Sequence, residues 1–138
     1  MFTAFKLALS QYDSIETVLL NNAGGRVYTA RGMALLIEQH NLDTHVDDVC
    51  YSACTIAFLA GNQRTLGHAA QLGFHRYSMQ EGYESQNIDI EQQIEKDKTY
   101  FIERGVAREF VNFIDQANSD TLWKPARQLL IDAGVATR

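Results

Sequence analysis

Residues Ser52 to Ala60 read SACTIAFLA, a run with no charged side chain and with apolar residues on nearly every side if it is helical. A helix without a wet face has to be surrounded by other elements. In a chain of 138 residues those elements must come from one domain, because the length suits a single sizeable core and not two. One proline, no low-complexity tract and no internal repeat agree with a single domain over residues 1–138.

The elements around this run alternate in type. Phe2, Phe5, Leu9 and Tyr12 recur at helical spacing and predict a short first helix. Ile15 to Leu20 (IETVLL) is β-branched and apolar and runs into Asn-Asn-Ala-Gly-Gly, as a buried strand running into a glycine turn does. Val27, Ala30, Ala34 and Ile37 predict a helix ending near His40-Asn41, and a strand follows around Thr44 to Cys50. After the apolar helix, Gly61-Asn62 closes it, and Arg64–Leu66 and Ala70–His75 read as short strands. A polar stretch from Ser78 to Asn87 leads into one long helical segment, about 88–113, with an interrupted apolar stripe. Pro125 opens a last helix and Gly134 ends it. Such alternation predicts an α/β fold with a mostly parallel sheet covered by helices.

Composition removes some classes of function. The net charge is −5 with no Lys/Arg cluster, which argues against nucleic acid as a partner. No apolar run approaches the roughly 20 residues of a membrane span, and Phe5 to Leu9 is too short for a secretory signal. No cofactor is implied. Cys50 and Cys54, four apart, would lie on one face within disulfide reach if their segment is helical, and equally suit two buried thiols.

Three turns carry chemical interest. Paired glycines at Gly24-Gly25, between a strand and a helix, leave backbone N–H groups free to meet a developing oxyanion, or serve only as a connector. Ser52 stands where a strand meets the buried helix, a place for a nucleophile but also for a helix cap. His75 ends a short strand downstream of that serine, and an uncharged serine needs a base. His40, His45 and His68 acquire no role.

Taken together, four segments resemble the Clp protease/crotonase superfamily, built of repeated β-β-α units. LLNNAGGRVYTARGMALLI resembles the strand, Gly-Gly turn and helix of Clp proteases, and CYSACTIAFLAGNQR the segment where a nucleophilic serine begins a buried helix. AAQLGFHR resembles the strand ending in the catalytic histidine, and DTLWKPARQLLIDAGVAT the closing segment. The nearest likeness is to bacterial Clp-protease-like proteins with Cys-x-Ser-Ala-Cys at the nucleophile. The resemblance implies a serine peptidase with Ser52 as nucleophile, His75 as general base, and the N–H groups of Gly25 and Ala53 as the oxyanion hole. It implies Asp120 as the third member, with Asp115 as the fallback. It further implies a peptide or protein substrate and self-association through the 88–113 segment. Ala23 replaces the family's proline, Cys50 and Cys54 replace glycine-rich surroundings, and the family's first strand has no counterpart before Met1. A complete chain of this kind is expected in the cytoplasm, and one lacking a leader and first strand in the periplasm or outside the cell.

Four other readings compete. The same fold can serve as an inactive oligomeric scaffold or as a crotonase-like acyl-CoA enzyme. A Ser–Lys pair would need Lys96, Lys98 or Lys124 near Ser52. Zinc would need Cys50, Cys54, His45 and His75 to converge.

Overall fold

A computed structural model describes residues 2–12, 14–22, 24, 26–75, 90–116 and 121–138. In chain order the elements are α1 (Phe2–Gln11), β1 (Thr17–Leu19), α2 (Val27–Gln39), β2 (Asp43–Val46), β3 (Val49–Tyr51), α3 (Cys54–Leu59), β4 (Arg64–Leu66), β5 (Gln71–Gly73), α4 (Ile90–Glu103), α5 (Arg108–Gln116) and α6 (Arg127–Asp132). The α/β architecture is the expected one. Strands β1, β2 and β4 form one sheet in the order β1-β2-β4, and β3 pairs with β5 in a second. All these pairings are parallel.

The strand expected over Thr44 to Cys50 is two strands. Asp47 and Asp48 interrupt it, both exposed and both poor strand formers. Their backbone N–H groups donate to the Asn21 side-chain oxygen at 3.2 and 3.0 Å, which satisfies the break. The interruption lets β2 stay with β1 and β4 while β3 crosses to β5.

Every residue of α3 is buried. It packs against α2, α4, β2 and β3, so the apolar run has the surroundings it demands. The one polar group β2 sends inward, the Thr44 hydroxyl, donates to the Phe58 carbonyl at 2.7 Å. Behind the turn before α3, a cavity of about 450 Å3 lies between α1, β1 and α2, lined among others by Phe5, Leu20, Met33, Ala53 and Cys54.

The long helix predicted over 88–113 is two helices; residues 88 and 89 lie outside the described ones. α4 stops because Gly105 takes φ +96. The Gly105 N–H then donates to the Ile102 carbonyl at 3.0 Å and the Val106 N–H to the Phe101 carbonyl at 3.0 Å, a Schellman ending. α6 ends the same way at Gly134, φ +80, with Gly134 N–H to Ile131 at 3.1 Å and Val135 N–H to Leu130 at 2.9 Å. The two endings abut, so a Cβ on Gly134 would meet the Gly105 carbonyl oxygen. Gly134→Ala is therefore expected to lower unfolding free energy by about 2–4 kcal/mol, from the left-handed backbone and the clash together. Urea denaturation measures it; a loss under about 0.5 kcal/mol would mean the endings are not packed as described.

Where these endings meet, Arg64 is buried, and among the described residues its guanidinium donates only to backbone carbonyls. Its guanidinium reaches Leu59 at 3.2 Å and Gly61 at 3.4 Å after α3, Arg104 at 3.1 Å after α4, and Gly134 at 2.8 Å and Val135 at 2.9 Å after α6. One cation thus serves three helix C-termini, whose unpaired carbonyls carry partial negative charge. The C-terminal tail is tied to the same strand, with Thr137 N–H donating to the Arg64 carbonyl at 2.8 Å.

Candidate active site

The sheets bring three chain-distant turns to one end of the molecule. β3 and β5 run parallel with Tyr51 opposite Gly73, so both strands finish at the same edge and Ser52 and His75 leave it together. The Ser52 N–H donates to the Gly73 carbonyl at 2.8 Å, continuing the ladder one step. A parallel bridge between Asn22 and Cys50 sets Asn22 beside β3. Parallel strands thus deliver their C-terminal turns to a common crevice.

Ser52 does not cap α3. The cap position belongs to Ala53, and no side-chain hydrogen bond closes it. Ser52 instead holds φ +55, a left-handed conformation that costs a side-chain-bearing residue of order 1–3 kcal/mol. Thr55 fastens it, donating to the Ser52 carbonyl from its N–H at 3.0 Å and its hydroxyl at 2.6 Å.

His75 is buried. The strand before it is clamped by an antiparallel bridge, Phe74 and Trp123 exchanging N–H···O bonds at 2.8 and 2.7 Å. The Phe74 ring meets Phe110 at 5.2 Å and Trp123 at 6.3 Å between centroids, an aromatic backing that fixes this corner.

A pocket of about 40 Å3 is lined by both Ser52 and His75. Its walls are mostly apolar, with Phe74, Ile94, Phe101, Val111 and Ile114, and its polar lining includes Thr55, Asp97, Lys98 and Asp115. Asp115 lies 3.5 Å from the Lys98 ammonium, which is also 3.5 Å from Glu95. Asp97 is buried and turns to Arg31 on α2, at 2.6 and 3.1 Å. The sequence reading passed over Asp97. Its signal was there, a carboxylate at the i+3 place of the stripe from Ile94 to Phe101, where an apolar residue belongs.

The structure thus brings Ser52, His75 and Asp115 to one pocket. Asp120 and Gly25 lie outside the described residues. Gly24, next to Gly25, donates its N–H to the Asn22 side-chain oxygen at 2.9 Å. The Ala53 N–H, next to Ser52, has no backbone acceptor among the described residues.

Cys50 and Cys54 are joined as a disulfide, with Cα atoms 5.3 Å apart. Both sulfurs are consumed, and His45 is engaged by Thr65 at 2.6 Å and Asp47 at 2.8 Å, so the four groups considered for zinc are not assembled. Of the lysines, Lys98 reaches the Ser52 pocket but is held by two carboxylates, Lys124 lies over the Tyr51 ring at 5.2 Å, and Lys96 lines a separate pocket. Among the described residues no helix is long and apolar enough to cross a membrane.

No protein-family model matches this sequence, and no curated protein matches it. Solved structures do. ClpP1 from Listeria monocytogenes superposes with TM-score 0.77 at 15% identity, covering 99% of this chain and 79% of that one. The fold is that of ClpP. A point variant of the same Listeria protein gives TM-score 0.72 at 17% identity, covering 99% of this chain and 79% of that one. A peptidase from Plasmodium falciparum gives 0.71 at 11% identity, over 96% of this chain and 82% of that one. The ClpP-like likeness spans nearly the whole chain.

Proposed function

We propose that this ClpP-like chain is a serine hydrolase, a peptidase in which Ser52 attacks the acyl carbon of a peptide or protein substrate. His75 takes the Ser52 proton as general base and returns it to the leaving amine. Asp120 or Asp115, the second of which lines the pocket, orients the imidazole and offsets its positive charge. The Ala53 N–H and the Gly25 N–H receive the oxyanion. The observation that carries this reading is the shared pocket of Ser52 and His75, with Ser52 in a left-handed turn that helix capping does not account for. Self-association through the α4–α5 face belongs to the same proposal, supported by the exposed ring of Phe113.

A fluorophosphonate probe tests it. The protein is expected to gain one covalent adduct, located on Ser52 by peptide mass analysis, and Ser52→Ala is expected to abolish it. A folded protein that never reacts is the scaffold of the competing reading. That reading draws on the pocket's small volume, about 40 Å3, room for little more than a few waters.

A further inference from the structure

The nucleophile turn has two faces. Ser52 and Thr55 line the small pocket with His75, while Ala53 and Cys54 line the separate cavity of about 450 Å3 between α1, β1 and α2. Cys54 belongs to a disulfide with Cys50. The disulfide joins the middle residue of β3 to the first residue of α3 and so closes a ring over Tyr51, Ser52 and Ala53. Ser52 is the member of that ring in a left-handed conformation. A short covalent ring removes many of the alternatives into which such a residue would relax.

We propose that the Cys50–Cys54 disulfide is a reversible redox latch on the Ser52 turn, opened by a low-molecular-weight thiol that enters through the cavity behind it. This rests on the reading of Ser52 as nucleophile for its effect on activity, though not for its effect on the turn. Cys54 is 7% exposed and lines that cavity, whereas Cys50 is wholly buried, so Cys54 is the sulfur a thiol meets. The thiolate attacks the Cys54 sulfur, the Cys50 sulfur leaves and takes a proton, and a second thiol resolves the mixed disulfide. Two electrons and two protons pass from reagent to protein, and the reagent ends as its own disulfide. Among the described residues the cavity and the Ser52 pocket share no lining residue, and Ala53, whose N–H the proposed function gives to the oxyanion, lines the cavity.

The bonds from Ser52 to Gly73 and from Thr55 to Ser52 do not involve the sulfurs, so reduction is expected to loosen the turn without abolishing it. Dithiothreitol is the probe, read by thiol alkylation, fluorophosphonate labelling and amide hydrogen exchange in parallel. Reduction is expected to expose two alkylatable thiols, slow Ser52 labelling about tenfold, and speed exchange at Ser52 and Thr55 about tenfold. Reoxidation should reverse all three, and Cys50→Ala/Cys54→Ala should sit at the reduced values whatever the thiol concentration. Folded protein that yields no thiols, or that yields them while exchange at the turn stays unchanged, overturns the latch. If neither redox state labels, the hydrolase reading fails by itself, and the exchange measurement still decides the latch.

Discussion

With alanine at position 75, fluorophosphonate labelling of Ser52 is expected to slow by roughly 10²- to 10⁴-fold, the usual worth of a positioned general base. An uncharged serine hydroxyl is a poor nucleophile, and His75 is the imidazole that lines its pocket. The position also has a structural side, because His75 is buried beside the Phe74–Trp123 clamp. His75→Gln keeps most of the volume and serves as the control. It should unfold at nearly the wild-type temperature yet label as slowly as the alanine variant. Asp115→Asn extends the series: if Asp115 is the orienting carboxylate, labelling should slow as well, since a neutral amide does not offset the imidazolium charge. A His75→Gln protein that labels at the wild-type rate would remove His75 from the chemistry.

Arg64→Met is expected to cost about 3–5 kcal/mol of stability, among the largest single effects this fold can show. Methionine fills the space of the aliphatic stem but leaves the carbonyls of Leu59, Gly61, Arg104, Gly134 and Val135 without their shared donor. Burial and the nearby Arg104 cation lower the Arg64 pKa from its ordinary value, so the site exacts a cost even as it is used. Arg104 cushions only one of the three helix ends, donating to Leu59 at 2.8 Å, Ala60 at 3.0 Å and Gly61 at 3.2 Å. Arg64→Lys should recover part of the loss, since an ammonium keeps the charge but has too few donors for five carbonyls. Thermal and urea unfolding measure both; a loss below about 1 kcal/mol for Arg64→Met would mean the junction is held by packing alone.

Much of this was legible from residue pattern. The α/β order, the fully buried helix after Ser52, the parallel strands and the glycine ending at Gly134 follow from side-chain period and turn chemistry, which act over a few neighbours. Two boundaries were not. The break at Gly105 looked like an interruption in one apolar stripe, because a lone glycine is tolerated in a helix and only its positive φ shows that the chain turns. The break at Asp47–Asp48 depends on Asn21, a residue 26 positions away from the first of them.

By itself the sequence determined which groups could react: a serine between a strand and a buried helix, a histidine after a later strand, two cysteines flanking the serine. Tertiary structure alone decided that Ser52, His75 and Asp115 line one pocket, that Ser52 is held left-handed and does not cap its helix, and that the cysteines close a ring over it. The reason is physical. Local propensity is set by neighbours along the chain, whereas the meeting of the turns depends on the register of β3 against β5, a pairing across more than 20 residues that only the assembled core selects.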